Sequence, residues 1–247
     1  MDKISIVTVT YNCKNDVEKT IKSVLDLDYP NIEYIVIDGA SKDGTVDIIK
    51  TYADHIDYWI SEPDKGIYDA MNKGLRKATG DWIFFLNTGD VFADNKVLRQ
   101  VPFCECRQAL DVCGIVGDIK ADYQGCVVER KKTIPFYRNS KRYKNMGFSH
   151  QGVFVRTNMA KILQFDLKYS LCADYNMMVE LNKKGYRFVE IDLPICVIQG
   201  GVGASEANRD RQMIEEAQIC QCDRSLLFYT IYCYRKLKRV AKKILYR

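Results

Sequence analysis

The chain has 247 residues, 47% apolar and 28% charged, which are the proportions of a globular protein and exclude a disordered, fibrous or low-complexity chain. Its net charge of +5 is concentrated at one end: residues 223–247 carry eight Lys and Arg against one acid, leaving residues 1–222 at −2. A body without basic excess argues against nucleic acid as a partner, and no apolar run approaches the roughly 18–20 residues of a membrane span. In chain order, residues 4–9 are short and β-branched, and Asp16 to Leu27 places Val17, Ile21, Val24 and Leu25 at helical spacing, so a strand feeds a helix. Residues 34–37 are apolar on both faces, as in a parallel sheet covered on each side, and Asp43-Gly44-Thr45 opens a helix carrying Val46, Ile49 and Ala53. A strand at 58–60, a polar loop at 61–65, a helix over 66–78 and a buried strand at 82–86 complete a βαβαβαβ pattern. Beyond residue 97 the spacing predicts strands at 114–117, 126–130 and 152–155, a helix near 174–184 and strands at 187–191 and 195–198. Helices over 206–219 and 224–245 follow. This half reads as mixed rather than parallel.

In such an α/β domain, ligands bind at the carboxyl ends of the strands. Four polar segments converge there: Thr10-Tyr11-Asn12, Asp38, Glu62 to Lys65, and Asn87-Thr88-Gly89-Asp90. Any one of them is ordinary turn chemistry, but turns do not explain why acids recur along one edge. The same segments stand in an ordered set of motifs. These are Ser5-Ile-Val-Thr-Val-Thr-Tyr-Asn12, Ile37-Asp38-Gly39-Ala40-Ser41-Lys42-Asp43-Gly44-Thr45, Asp64-Lys65-Gly66-Ile67-Tyr68-Asp69-Ala70-Met71-Asn72-Lys73-Gly74 and Gly80-Asp81-Trp82-Ile83-Phe84-Phe85-Leu86-Asn87-Thr88-Gly89-Asp90. Over residues 4–90 the chain resembles a family 2 glycosyltransferase of the GT-A fold, and thinner matches at His150-Gln151 and Asp174-Tyr175 extend the likeness to about residue 205.

The resemblance implies an α/β, Rossmannoid domain with a central, mostly parallel sheet flanked by helices. It would span residues 1–205, with a nucleotide-sugar-binding half at 1–95 and an acceptor half at 96–205, followed by a basic helical tail at 206–247. It also implies an inverting transferase that uses a nucleotide-diphosphate sugar, with UDP-sugar the expected donor. Val9, Thr10, Tyr11 and Asp38 would frame the base, a carboxylate being suited to accept the imide N–H of uracil. A helix-capping role for Asp38 is less attractive, because Ser41 and Asp43 are better placed. Asp90 matches the end of the family's acidic metal motif and would hold Mg²⁺ or Mn²⁺ with the diphosphate, although Asn87 and Gly89 stand where a second acid is common. Asp64, Tyr68 and Asp69 would lie near the donor. Lys65 and Gly66 open a helix, so free N–H groups and a positive charge would face an anion. Asp69, Asn72, Lys73 and Arg76 share a helical face, and for Lys73 and Arg76 the reading is a solvated stripe.

Asp174 matches the acid that takes the acceptor proton, and it could equally cap the helix that follows; Ala173 replaces a Glu common in relatives. His150 would contact the acceptor or the diphosphate, or serve as a structural histidine, while His55 reads as surface. Residues 200–205, Gly-Gly-Val-Gly-Ala-Ser, resemble a loop that closes over the site. Residues 224–247 combine apolar and basic side chains in the manner of a helix on an anionic membrane, the alternative being a solvated helix docked on the body or on a partner subunit of an oligomer. The start, Met1-Asp2-Lys3-Ile4-Ser5, has no leader pattern, and the ten cysteines show no C-x-x-C spacing. These features predict a cytoplasmic protein, peripheral on the inner face of the cell membrane, with reduced and mostly buried thiols. The acceptor would be a glycan or a lipid-linked saccharide of the cell surface. A degenerate assembly subunit and a sugar nucleotidyltransferase are the rival readings; for the latter, the segment after the first strand lacks an Arg-containing, Gly-rich loop.

Overall fold

The computed structural model describes residues 1–130, 150–200, 208–226, 228–230, 232–234 and 236. The loop expected over 200–205 and the tail expected over 224–245 lie largely outside these residues. The first half follows the pattern read from sequence: β1 (Ile4–Thr10), α1 (Val17–Leu25), β2 (Ile32–Asp38), α2 (Thr45–Thr51), β3 (Tyr58–Ser61), α3 (Ile67–Lys77) and β4 (Trp82–Phe85). After it come β5 (Val91–Phe92), α4 (Val97–Gln100), α5 (Phe103–Gln108), β6 (Val112–Tyr123), β7 (Cys126–Arg130) and a 3₁₀ turn at His150–Gly152. The chain continues through β8 (Val153–Arg156), α6 (Thr157–Leu163), α7 (Ala173–Lys183), β9 (Arg187–Gln199) and α8 (Arg209–Ile219).

Among the described residues nine strands form one sheet, in the order β3-β2-β1-β4-β8-β6-β9-β5, with β7 beside β6. Strands β1 to β4 are parallel, and β8 enters antiparallel between β4 and β6. Successive side chains of the parallel strands go to opposite faces, and both faces are apolar. Ile4, Ile6, Tyr34, Val36, Trp82 and Phe84 meet α1, α2 and α5 on one side, whereas Val7, Val9, Ile35, Ile37, Ile83 and Phe85 meet α3, α6 and α7 on the other. Gly74 allows α3 to lie directly on β1, because a Cβ at that position would strike Val7. The strand order reverses between β1 and β4, and that switch point places the crevice at their carboxyl ends.

The second half departs from the sequence reading in specific ways. The strands expected at 187–191 and 195–198 are one strand, β9, which pairs with β6 through register shifts about Asp118, opposite Pro194. Strand β6 runs 12 residues, well past 114–117. α8 is not a free part of a tail: Met213, Glu215, Glu216, Ala217 and Ile219 are buried, and it packs on α7. All ten thiols are free as expected, but only Cys106, Cys113, Cys172 and Cys196 are buried, so they are not mostly buried.

One polar knot ties the amino-terminal ends of β1 and β2 to the turn before β4. Glu33, 8% exposed, accepts from Ser5 Oγ, Thr79 Oγ1, Thr79 N and Lys3 Nζ. Burial acts to raise its carboxyl, but those hydrogen bonds outweigh it and hold the group at about 2, against 4.5 when unperturbed. The folded pKa is depressed, so the stabilisation is present above pH 4.5 and is lost as pH falls towards 2. The Glu33→Gln variant is expected to show a shallower loss of stability over that window in acid unfolding followed by circular dichroism. Coincident slopes for the two proteins would rule Glu33 out as the linked group.

Candidate active site

At the carboxyl edge of the parallel strands, Thr10, Asp38 and Ser61 stand side by side in register. The Asp38 carboxylate is fully buried and accepts from Ser41 N (2.9 Å), Ser41 Oγ (2.5 Å) and Ser61 Oγ (2.5 Å). Oδ2 takes two of these donors and Oδ1 one, so the carboxylate retains capacity for a further donor. It does not cap α2; Asp43 Oδ1 takes the Thr45 N–H instead, at 3.0 Å. The loops after β1 and β2 are laced together by Asn12 N to Ser41 Oγ (2.8 Å) and Lys42 N to Asn12 Oδ1 (2.9 Å). Ala40 is held at φ 63°, a backbone conformation that side-chain-bearing residues rarely adopt. A Cβ at Gly39 would meet both the Asp64 carboxylate and the Tyr11 ring, so the bare backbone there lets β1, β2 and the loop before α3 close on one point. Tyr11 is 63% exposed beside it. Val9 and Thr10 are buried, and among the described residues Thr10 Oγ1 has no hydrogen-bond partner, so a ligand hydrogen bond would satisfy it.

The start of α3 corrects one expectation. The N–H groups of Lys65 and Gly66 are not free for an anion: Asp69 Oδ2 takes the first at 3.0 Å and Asp64 Oδ1 the second at 2.8 Å. Two carboxylates at a helix N-terminus suit its dipole, and they occupy the two N–H groups just ahead of the first helical residue, beside the exposed Lys65 side chain. The solvated stripe read for Lys73 and Arg76 fails at Lys73, and Asn72 on the same face is not solvated either. Asn72 is buried and exchanges two hydrogen bonds with the Phe165 backbone, at 2.9 and 2.8 Å. Lys73 binds the Pro63 carbonyl at 2.7 Å and Glu62 at 3.0 Å. Arg76 is exposed as expected.

Asp90 follows β4, where Thr88 Oγ1 bonds back to the Val9 carbonyl at 3.0 Å and Gly89 turns at φ 95°. Thr20 of α1 accepts from Gly89 N and donates to the Asp90 carbonyl, both at 2.9 Å. The Asp90 side chain is 5% exposed and takes the Gln199 N–H at 3.2 Å. Burial pushes its carboxyl up to about 6, opposed by that N–H and by the charges of His150 and Lys19. A nearby cation would bring this desolvated carboxylate back to its charged form. Among the described residues no group of three or more His, Cys, Asp or Glu makes a closed metal cage. One carboxylate at a strand end fits Mg²⁺ or Mn²⁺, ions that take the rest of their ligands from diphosphate oxygens and water.

The first turn of α7 carries Asp174, also 5% exposed. Its Oδ1 accepts from Tyr68 Oη at 2.7 Å, and its Oδ2 lies 2.7 Å from His150 Nδ1. Burial alone would raise this carboxyl; the His150 charge and the hydrogen bonds from His150, Tyr68 and Tyr175 N outweigh it and hold the group below its ordinary value. His150 shows the converse: burial acts to lower it, but Asp174, and more weakly Asp90, raise it. The helix-cap position is Cys172, so Asp174 is free of that duty. The sequence placed Asp174, Tyr68, His150 and Asp90 individually; the structure joins the first three by direct contacts with Asp90 in electrostatic reach of His150, and it adds Ser61 as a partner of Asp38, which no sequence signal marked.

The chain is similar to known proteins over most of its length. Residues 5–166 match the family described as "Glycosyl transferase family 2". The chain is 32% identical over 181 residues to an uncharacterized glycosyltransferase of Mycobacterium tuberculosis, covering 71% of this chain and 67% of that one. It is 26% identical to an Escherichia coli protein, the UDP-Glc:alpha-D-GlcNAc-diphosphoundecaprenol beta-1,3-glucosyltransferase WfaP, over 89% of this chain and 86% of that one. Among solved structures, Staphylococcus aureus TarS 1-349 in complex with UDP superposes with a TM-score of 0.64 at 16% identity, over 91% of this chain and 70% of that one. The Pyrobaculum calidifontis mannosyltransferase PcManGT in complex with GDP-Man and Mn²⁺ gives 0.66 at 17%, over 88% and 63%. On both its matched motifs and its sheet, the chain belongs to glycosyl transferase family 2, an enzyme built on the GT-A fold.

Proposed function

We propose that the protein is an inverting glycosyltransferase that moves a sugar from a nucleoside-diphosphate donor, a UDP-sugar, to a glycan or lipid-linked acceptor in cell-surface polysaccharide synthesis. One observation carries the reading. Two buried carboxylates, one in contact with His150 and the other within reach of its charge, have their protonation pushed in opposite directions, Asp174 downwards and Asp90 up to about 6. Groups driven apart in this way mark different chemical duties. Asp174 stays ionised and is suited to take a proton; Asp90 is suited to a cation. Support for the donor and acceptor comes from relatives: WfaP is named for UDP-Glc and a diphosphoundecaprenol acceptor, and the two structural neighbours were solved with UDP and with GDP-Man and Mn²⁺.

The base of the donor lies between the exposed Tyr11 and the wall made by Val9, Thr10, Asp38, Ser41 and Ser61. Thr10 Oγ1 gains the partner it lacks. Asp64, Lys65, Gly66 and Asp69 form the shoulder of the pocket at the start of α3, where the Lys65 ammonium meets phosphate. Asp90 would hold Mg²⁺ or Mn²⁺, which supplies charge neutralisation for the leaving diphosphate. The acceptor hydroxyl oxygen bonds to the anomeric carbon as the bond from that carbon to the diphosphate oxygen breaks. The diphosphate leaves with the electron pair, and Asp174 takes the hydroxyl proton. Tyr68 and His150 hold the two Asp174 oxygens, and His150 lies towards the acceptor and diphosphate. Among the described residues no helix is long and apolar enough to cross a membrane. Leu226, Tyr229 and Tyr234 are exposed at the start of the basic tail, which supports docking on an anionic inner membrane surface beside a lipid-linked acceptor.

Tyr68→Phe tests the assignment. The ring keeps its place 5.5 Å from Phe165, but Asp174 loses one of the bonds that hold it low. Because Asp174 must be ionised to act, activity falls as pH drops through its pKa, and the variant's acid limb moves to higher pH. The readout is release of UDP from UDP-glucose or UDP-N-acetylglucosamine with Mn²⁺, followed from pH 4 upwards. An unmoved limb would count against Asp174 as the base.

A further inference from the structure

Cys172 occupies the cap position of α7 but makes no side-chain capping bond. The cap arrives from elsewhere in the chain. Glu215 of α8, 5% exposed, aims its carboxylate at the turn leading into α7. Its Oε1 accepts from Ser170 N at 3.1 Å and Ser170 Oγ at 2.9 Å, and its Oε2 from Leu171 N at 2.9 Å and Cys172 N at 3.1 Å. Arg211, one turn earlier on α8, donates to Oε1 at 3.1 Å. Four charge-assisted bonds to three consecutive residues leave that turn one position, and a carboxylate there also suits the positive end of the α7 dipole. Asp174 begins two residues after the last of these bonds. At the other end of the same segment, Asn72 clamps Phe165 while Tyr68, one turn away on α3, reaches Asp174 itself. α8 lies beyond residues 5–166, the stretch matched to the family.

We propose that Glu215 is a positioning residue for sugar transfer: by capping α7 from outside, it sets where Asp174 stands, which makes α8 part of the catalytic framework. The inference rests on the reading of Asp174 as the proton acceptor. Glu215 touches neither donor nor acceptor and acts through the turn alone. Replacing its carboxylate by an amide sets an NH₂ donor against N–H donors, so one side of the clamp loses its bonds. A displacement of about 1 Å in a catalytic group can cost on the order of 100-fold in rate.

The test is a double-mutant cycle in the full-length chain. Release of nucleoside diphosphate is measured with UDP-glucose, UDP-N-acetylglucosamine and GDP-mannose as donor probes and Mn²⁺ present. Glu215→Gln is expected to lower kcat about 10-fold with donor KM within about twofold, and to add nothing in an Asp174→Asn background. An equal loss with and without Asp174, a rise in KM at unchanged kcat, or wild-type kinetics in the folded variant would each overturn the proposal. Should Glu215→Gln fail to fold, Ser170→Ala, which removes one bond of the clamp, goes through the same cycle. Its expected loss is about twofold to threefold, again present only with Asp174 intact. Wild-type kcat in Asp174→Asn, or no turnover by the wild-type protein with any of the three donors, overturns the reading of Asp174 on which the proposal rests. An inactive Asp174→Asn beside a wild-type-like Glu215→Gln overturns only the role of Glu215.

Discussion

Replacing Asp174 by Asn is expected to lower kcat by about 10²–10⁴-fold, the usual contribution of a positioned general base. The amide has the shape of the carboxylate and keeps an oxygen for the Tyr68 hydroxyl 2.7 Å away, so the helix start is not disturbed. It cannot take the acceptor proton. On the proposed reading the donor is held by Thr10, Tyr11, Asp38 and Asp90, and its affinity is expected to stay within about twofold. That split between kcat and binding separates an interaction made in the transition state from one made in the ground state. Steady-state release of nucleoside diphosphate, with calorimetry for donor binding, measures both. A variant with wild-type kcat would remove Asp174 from the reaction.

The second large effect concerns the scaffold. Phe84, at the middle of β4, is fully buried, with ring centroids 4.6 Å from Phe154 and 5.3 Å from Phe92; Phe154 in turn lies 5.0 Å from Phe103. This cluster joins the parallel half of the sheet to the mixed half, because β4 pairs with β8 at Phe84 and Phe154. Phe84→Ala is expected to destabilise the protein by about 3–5 kcal/mol, a large fraction of the 5–15 kcal/mol typical of a folded domain. Chemical denaturation at 25 °C measures it. A loss below about 1 kcal/mol would mean that the two halves are not held together through these rings.

The parallel half was legible because its strands are short, β-branched and apolar on both faces, and its helices show clean apolar spacing. The mixed half was harder for local reasons. Gly114, Gly117, Asp118 and Lys120 break the apolar run of β6, and Pro194 splits β9, yet both strands are continuous because they pair with each other through bulges. The short helices α4 to α6 hold too few turns to give a period. Site residues at strand ends were readable from their motifs, since a strand end fixes where a side chain stands. What they bond to was not. Asp38 meets two serines, one of them 23 positions away; Asp174 meets Tyr68 at a separation of 106. Such pairings come from packing of distant elements, which periodicity does not encode. Asn72 shows the limit: its spacing fits a solvated face, and only the approach of Phe165 buries it. Lys65 and Gly66 show the converse, since the acids that occupy their N–H groups sit two and four residues away and were in view throughout.

The central claim, a nucleotide-sugar transferase whose donor and cation meet at Asp90, is tested most directly by calorimetric titration of UDP and GDP with Mn²⁺, Mg²⁺ or EDTA. The proteins compared are wild type, Asp90→Asn and Asp174→Asn. Metal-dependent binding of one nucleotide to the wild type is expected, weakened by at least about tenfold in Asp90→Asn and retained in Asp174→Asn. Binding that is equal with metal or EDTA and unchanged by Asp90→Asn, or no binding of either nucleotide by the folded protein, would contradict it.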